Sequence, residues 1–402
     1  MKRYHLLFCL AVWLVAGCVP METLPSVPVP ACPVYADPAD STDPADPDQY
    51  GHTMLLYMVS PSLQYSFLSN LKELRRGDSI PANQALLVYI DTGCGAELLR
   101  VRTAADGTVK VRAVRTFSNT VESTSQTRID TVWRYVQQRY PAVSYGMLLS
   151  GHGNGWAPFR ISTKSIFTEP AIEQELTIAS LAEVLPSYHL DYLVLDACHM
   201  GGIEVCYELR NACKYIMASA TEIWGTGYVY DRLAETMFPY TGISSVEAYA
   251  QAYFQKYREP DNYSGGATVA VIQTSELEDL ATAFKAVYVS GISVADVTTY
   301  NMQHYDREEL VGQVTKYDLK EFASRLLPSD GTYADFLAQL SLAVTYKETS
   351  TKFGSSDAGW ITIDPLWYSG LSCFVPNNMY PVLQGYYAAT AWNLNVGLVT
   401  VE

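Results

Sequence analysis

Two stretches of the chain end in side chains that together could perform nucleophilic catalysis. Residues 192–202 read YLVLDACHMGG, an apolar run typical of a strand buried on both faces, with Cys198 just beyond it. Residues 145–156 contain a second apolar run, YGMLLS, which leads into GHGNGW and places His152 between two glycines. A thiol beside an imidazole is the arrangement of a cysteine nucleophile with its general base.

The elements around Cys198 and His152 are suited to bring the two side chains together. The segment IEVCYELRNAC predicts an amphipathic helix, so Cys198 lies at a strand-to-helix turn, where a partial positive charge stabilises a thiolate. The glycines beside His152 allow a sharp turn. Because functional groups collect outside the carboxyl ends of parallel strands, both residues are predicted at one edge of one sheet. For either residue alone, a loop histidine or an inert thiol is the simpler interpretation, whereas the pair favours catalysis.

Strand and helix patterns alternate along the chain and predict an α/β fold, a mostly parallel β-sheet flanked by helices. Residues 98–117 are typical of a hairpin with Asp106-Gly107 as its turn. Residues from about 290 form a less regular, helix-rich C-terminal portion, with one further strand predicted at 368–376. The other predicted strands lie at 52–60, 85–91, 145–150, 192–197, 215–220 and 267–274, and helices at 62–76, 128–140, 177–188 and 245–257.

The N-terminus has the pattern of a bacterial export signal. A positive n-region and the apolar residues 6–15 precede Val-Ala-Gly-Cys, which resembles a lipobox and predicts that Cys18 is lipidated. An ordinary signal-peptidase site is the competing interpretation. We therefore predict a lipoprotein signal peptide over residues 1–17 and an exported protein, lipid-anchored in the bacterial cell envelope at its periplasmic face or at the cell surface.

The remaining chain divides into a tether and a globular body. Residues 18–50 are rich in Pro and Asp, so they cannot bury a core and predict an extended tether. Residues 51–402 carry the predicted elements, with 290–402 as a candidate C-terminal subdomain. The formal net charge of −15 argues against nucleic acid as a partner and against direct binding to an anionic membrane surface.

The eight cysteines do not have the pattern of a disulfide framework. Outside the signal, the lipid site and the tether, an odd number remains in a large body. Cys198, His199, Cys206 and Cys213 could be interpreted as metal ligands, but no CxxC pair is present, and Cys206 and Cys213 are spaced as one helix face. We therefore predict neither a metal site nor a cofactor. The body cysteines are Cys94, Cys198, Cys206, Cys213 and Cys373.

The motifs SGHGNGW and DACHMG, whose histidine and cysteine are 46 residues apart, resemble those of the clostripain-like cysteine peptidases. That family belongs to a caspase-like group in which a His-Gly and an Ala-Cys or Ser-Cys follow two sheet strands. The later segments MASATE and SGLSCFVP are also similar to family segments, so the resemblance extends from about residue 51 to the C-terminus. It implies a caspase-like fold, cysteine endopeptidase activity, and peptide or protein substrates. We expect a monomer.

The resemblance also implies roles for individual residues. Cys198 would be the nucleophile, and His152 the general base and then the general acid. The N–H groups of Gly153 and Cys198 would form the oxyanion hole.

Asp196 matches a family aspartate that helps to form the pocket for a basic P1 side chain. Its alternative role is to accept hydrogen bonds from main-chain N–H groups at the turn. The family often has a second acid in a segment resembling ETEPG-x-GW, and this chain reads ATEIWGTGY there. Glu222 remains as a substrate-binding candidate, while Thr226 and Gly227 stand where the acid is expected. We therefore expect that Arg or Lys is preferred at P1, but less strongly than in relatives that have both acids.

Residues 157–176 are polar and predicted to be irregular, and they contain Arg160 and Lys164 as their only basic residues. The resemblance implies that relatives are often processed in this region. A protease that accepts a basic P1 residue could cut itself after either position, so both are candidate self-processing sites.

A second hypothesis is a catalytically silent surface lipoprotein that binds peptides or glycans on the same fold. The 30 tyrosines of the chain could form an exposed recognition surface, or they could pack in the core. The presence of both His152 and Cys198 favours the enzyme, since a binding protein needs neither.

Overall fold

The computed structural model describes residues 35–38, 46–93, 95–157, 167–169, 172–261, 263–307, 314–376 and 380–400. The predicted signal peptide, the predicted lipidation residue Cys18, and the basic residues Arg160 and Lys164 lie outside these residues, as does most of the predicted tether. Across the part of the chain that is described, no helix combines the length and the apolar character needed to cross a bilayer.

Strands and helices are numbered in chain order. The strands are β1 (Tyr50–Val59), β2 (Gln84–Asp91), β3 (Ala96–Thr103), β4 (Val109–Phe117), β5 (Ala142–Ser150), β6 (Phe167–Glu169), β7 (Ile172–Leu176), β8 (Leu190–Asp196), β9 (Cys213–Ala218), β10 (Ser264–Gly265), β11 (Thr268–Gln273), β12 (Tyr317–Asp318), β13 (Val344–Thr349), β14 (Lys352–Ser355), β15 (Gly359–Thr362) and β16 (Ser372–Cys373). The α-helices are α1 (Gln64–Arg76), α2 (Gln126–Arg139), α3 (Ile178–Val184), α4 (Ile203–Glu208), α5 (Leu233–Met237), α6 (Ile243–Tyr257), α7 (Leu277–Ser290), α8 (Leu319–Arg325), α9 (Asp330–Ala343), α10 (Pro381–Ala388) and α11 (Ala391–Val396).

The largest sheet has the strand order β13-β11-β9-β8-β5-β1-β2-β3-β4. Its centre, from β9 to β2, is parallel throughout, whereas β11 and β13 at one edge and β3 and β4 at the other are antiparallel. This architecture confirms the predicted α/β class with a mostly parallel sheet flanked by helices. Strand β13 comes from the helix-rich C-terminal portion, so residues beyond 290 contribute an edge strand to the same sheet.

The two faces of the sheet are buried in separate hydrophobic clusters, which explains the unbroken apolar runs of the central strands. In β1, Leu55 and Tyr57 face one cluster, while Met54, Leu56 and Met58 face the other. Helices cover both faces with apolar stripes at helical spacing. On the first face α2 contributes Ile129, Val132, Trp133 and Val136, and on the second α6 contributes Val246, Tyr249, Ala250 and Tyr253.

Two predicted segments differ from the structure. The strand predicted at 368–376 is only the short β16, because Gly370 adopts φ = +92° and turns the chain just before it. The segment 157–176, predicted to be irregular, contains the antiparallel pair β6 and β7 in its described part.

Candidate active site

Two adjacent parallel strands bring the predicted nucleophile and base to one edge of the sheet. Strand β5 pairs with β8 in a register that sets Ser150 opposite Asp196 at their carboxyl ends. His152 and Cys198 each follow two residues later along the chain. The register therefore places both residues at the same edge, on neighbouring strands.

Glycines in the loop after β5 allow that loop to lie directly on the turn that carries Cys198. A Cβ atom at Gly153 would lie 2.8 Å from the carbonyl oxygen of Cys198 and 3.1 Å from its nitrogen. At Gly155, where φ is +65°, a Cβ atom would lie 2.8 Å from the carbonyl oxygen of His199. A side chain at either position would push the two loops apart. The sequence GHGNG thus sets the main chain of Gly153 against the amide of Cys198, the two groups predicted to form the oxyanion hole.

The sulfur of Cys198 lies against the peptide groups of Ile223, in the loop after β9. Cys198 as a whole residue is only 5% exposed. The main-chain N–H of Ile223 donates to Sγ at 3.5 Å, and Sγ lies 3.8 Å from the Ile223 carbonyl oxygen. The carbonyl can accept from a thiol, whereas the N–H stabilises a thiolate. Sequence reasoning missed Ile223, because only the pairing of β8 with β9 shows that the next loop reaches the nucleophile.

Main-chain hydrogen bonds hold the turn between β8 and α4 in place. His199, with φ = +61°, donates its N–H to the carbonyl of Thr221 at 3.0 Å, and Gly201 donates to Ser219 at 2.7 Å. From the far end of the chain, Ser372 donates its N–H to the Gly201 carbonyl at 2.8 Å. Cys198 therefore lies on a turn fixed from two sides, and α4 begins only at Ile203.

His152 is contacted by the turn that follows β1. The Nε2 atom of His152 and the Oγ atom of Ser62 lie 2.8 Å apart. The Oγ atoms of Ser62 and Ser60 lie 2.9 Å apart, which extends the contact to the end of β1. Neither serine was singled out from the sequence. The signal that could have found them is topological, since β1 is the other parallel neighbour of β5.

Asp196 is a buried acid directly behind the nucleophile turn. It accepts hydrogen bonds from Ser150 Oγ at 2.9 Å, from the hydroxyl of Tyr230 and from the main-chain N–H of Tyr228. Burial raises the pKa of Asp196 to about 6, against the opposite effect of these hydrogen bonds. A Cβ atom at Gly227 would lie 2.6 Å from Asp196 Oδ2, so the loop after β9 closes over the carboxylate.

The model of the clostripain family, Peptidase_C11, matches residues 56–394. This match spans most of the chain and contains both motifs of the site just described. The chain belongs to the clostripain family. A comparison with curated proteins finds no match.

Solved structures similar to this clostripain family member are C11 proteases. An inactive zymogen C11 protease from Parabacteroides distasonis is 27% identical with a TM-score of 0.77, covering 87% of this chain and 99% of that one. A secreted C11 cysteine protease from Bacteroides thetaiotaomicron, in complex with an irreversible peptide inhibitor, is 25% identical with a TM-score of 0.75, covering 86% and 99%. A structure from the same organism described as iotapain, 22% identical with a TM-score of 0.76 and covering 87% and 100%, shares the fold. The chain is therefore a cysteine peptidase with a caspase-like fold.

Glu222, predicted to contact substrate, lies instead in a buried ion pair in this clostripain family member. Its Oε1 atom is 2.9 Å from Arg307 Nε, and the side chains are 3% and 1% exposed. A second buried pair lies close by, with Lys316 Nζ 2.7 Å from Asp306 Oδ1. Although burial opposes it, Lys316 lowers the pKa of Asp306 to about 2. The Glu222 carboxylate therefore holds the loop beside the nucleophile and is not presented at its surface.

The position of the family's second pocket acid is occupied by a hydroxyl network. Thr226 Oγ1 lies 2.6 Å from the hydroxyl of Tyr257, which also donates to the Gly227 carbonyl at 3.1 Å. Asn70 of α1 donates its side-chain N–H to the Thr226 carbonyl at 2.8 Å. The loop after β9 is thus anchored by neutral groups of α1 and α6 where the resemblance predicts an acid.

The other described cysteines differ from Cys198 in their surroundings. Burial raises the pKa values of Cys206, Cys213 and Cys373, which makes each thiolate unfavourable. Among the described residues no group of three or more His, Cys, Asp or Glu side chains is arranged to hold a metal ion. Cys206, Cys213 and Cys373 are therefore typical of packed structural thiols.

Proposed function

We propose that the protein is an endopeptidase in which Cys198 is the nucleophile and His152 the general base. The observation that carries the proposal is the close approach of the Gly153 main chain to Cys198. This approach follows from the parallel pairing of β5 with β8, in which Ser150 lies opposite Asp196. Two strands then present a base, a nucleophile and two main-chain N–H groups at one edge. These are the parts that acyl transfer to a thiol requires.

In the proposed reaction His152 accepts the thiol proton and Cys198 Sγ attacks the carbonyl carbon of the scissile peptide. The N–H groups of Gly153 and Cys198 donate to the resulting oxyanion. His152 then gives its proton to the leaving amine as the C–N bond breaks, which leaves a thioester on Cys198. A water molecule deprotonated by His152 hydrolyses the thioester and restores the thiol.

We propose that P1 is a basic residue, bound by Asp196. Its carboxylate is buried among Ser150, Tyr230 and the main-chain N–H of Tyr228, with no ion-pair partner among the described residues, so a ligand would supply a further donor. An Arg or Lys side chain would supply it, together with a compensating charge. Thr226 and Gly227 add no second charge, so the preference is weaker than with two acids. Glu222 contributes indirectly, through Arg307 and the loop after β9.

Export and activation complete the proposal. The N-terminal signal and Cys18 support an exported, lipid-anchored protein, and one similar structure is described as a secreted protease. Self-cleavage after Arg160 or Lys164 would follow from a basic P1 preference, and another similar structure is described as an inactive zymogen.

The proposal is tested by replacing Cys198 or His152 with Ala and measuring peptide hydrolysis and labelling by an acyloxymethyl ketone. Each variant should lose at least about a thousand-fold in kcat/KM while keeping the wild-type unfolding temperature. Cys213→Ser is the matched control and should keep both activity and labelling. Denaturing mass spectrometry of wild type and Cys198→Ala tests self-cleavage in the same samples. Substantial turnover by Cys198→Ala would show that the nucleophile is misassigned, and a protein that binds peptides without turnover would favour the silent binder.

A further inference from the structure

We propose that Ser62 is a positioning residue for His152, which fixes the orientation and tautomer of the imidazole through Nε2. The inference rests on the proposed role of His152 as the base. It assigns the proton exchange with Cys198 to the other ring nitrogen, Nδ1.

The contact joins the end of β1 to the loop after β5. Ser62 Oγ and His152 Nε2 are 2.8 Å apart, and Ser60 Oγ lies 2.9 Å from Ser62 Oγ on its other side. A hydroxyl has one proton and two lone pairs, so Ser62 can accept from Nε2–H while it donates to Ser60. With the Nε2 proton held in this way, the lone pair of the neutral ring is on Nδ1, and that nitrogen can take a proton from the thiol.

The backbone around Ser62 restricts its position beside His152. Strand β1 pairs in parallel with β5, with Met58 opposite Ser150, so the residues that follow each strand leave at the same edge. Ser60 is fully buried and donates its N–H to the carbonyl of Asp91 at 3.2 Å. Pro61 begins the short 3-10 turn that contains Ser62, and its fixed φ limits the positions that the hydroxyl can reach.

The neutral character of Ser62 has a chemical consequence. A carboxylate at this place would stabilise the imidazolium and raise the pKa of the base, whereas a hydroxyl orients the ring without adding charge. The base then returns its proton to the leaving amine more readily, because the imidazolium is not held by an ion pair. Ser62 is itself exposed, so a substitution there changes the contact with His152 without opening a cavity in the core.

The test compares Ser62→Ala, Ser62→Thr and Ser62→Asp with wild type, and uses Ser69→Ala, an exposed serine of α1, as the control. Ser62→Ala should lower kcat by about tenfold with KM changed less than about twofold, since the ring loses orientation and not substrate contacts. Ser62→Thr, which keeps the hydroxyl, should recover most of the loss. Ser62→Asp should raise the lower apparent pKa of the kcat/KM profile by about one unit. Ser69→Ala should match wild type.

Two further measurements separate this inference from the assignment of the base. In a His152→Ala background, Ser62→Ala should cause no further loss, because the serine acts only through the ring. The pH dependence of Cys198 alkylation by iodoacetamide should change in Ser62→Asp as it does in turnover. Wild-type kinetics for Ser62→Ala, a Thr variant as impaired as Ala, or an unchanged pH profile for Ser62→Asp would each overturn the role of Ser62. Full activity of His152→Ala would overturn the proposed function instead.

Discussion

The two sides of Cys198, the proposed nucleophile, are built from different chemistry. On the side of β1 and β5, His152 is contacted by the exposed hydroxyl of Ser62 and, through it, by the buried hydroxyl of Ser60, both of which are neutral. On the side of β8 and β9, the loop beside Cys198 rests on the buried ion pair of Glu222 and Arg307. A base must gain and lose a proton in every cycle, so a neutral support suits it. A binding loop must keep one shape, so charges locked in pairs suit it.

On the side of β8 and β9, a substitution is expected to lower the free energy of unfolding most, because the ion pair there is buried. Removing charges from water is costly, and a buried pair is tolerated only while both partners are present. Arg307 comes from the C-terminal portion and meets a loop 85 residues earlier in the sequence, so the pair ties two distant segments together. Three experiments examine the contrast between the two sides.

The largest effect is expected from Arg307→Met, which leaves Glu222 buried without its partner. The free energy of unfolding should fall by about 3–5 kcal/mol, measured by denaturant unfolding. The matched control is Arg134→Met, whose ion pair with Asp130 is exposed and should contribute about 0–1 kcal/mol. Adding Glu222→Gln to Arg307→Met should recover part of the loss. Equal costs for Arg307→Met and Arg134→Met would remove the distinction between the two sides.

A smaller effect is expected from Asp196→Asn, which removes the charge proposed to bind P1. The kcat/KM for substrates with Arg or Lys at P1 should fall roughly 10- to 100-fold, or about 1–3 kcal/mol, while an uncharged P1 residue changes little. Asp191→Asn is the control, since it lies on the same strand at the opposite end and pairs with Lys214. If Asp196→Asn leaves the P1 preference of an active enzyme unchanged, the pocket is elsewhere.

The smallest effect concerns pH. Because burial raises the pKa of Asp196 to about 6, the carboxyl is protonated below that pH and cannot pair with a basic P1 side chain. The ratio of kcat/KM for basic over neutral P1 substrates should therefore rise from pH 5 to pH 7.5, by up to about tenfold. Taking the ratio cancels the titration of His152 and Cys198, which affects both substrates. The ratio should be flat in Asp196→Asn, and a flat ratio in wild type would contradict the buried-acid account.

The sequence was informative where the structure depends on neighbours along the chain. Apolar runs predicted β5 and β8, and the residues directly after them predicted what lies at the sheet edge. Ser62 and Arg307 were missed because each contacts a residue some 90 positions away, which no local pattern records. Glu222 was assigned to substrate for the same reason, since its buried partner is not apparent in the sequence.

The turn that carries Cys198 receives part of its support from a segment more than 160 residues further along the chain. Ser372 bonds to Gly201, and Phe374 donates its N–H to the Glu204 carboxylate at 2.7 Å, across 170 positions. During synthesis this support is absent until residues 372–374 have been made, because contacts so distant in sequence form only after both segments exist. A chain in which residues 372–374 have not yet folded against residues 201–204 therefore lacks the finished turn, and full proteolytic competence is delayed until that contact forms.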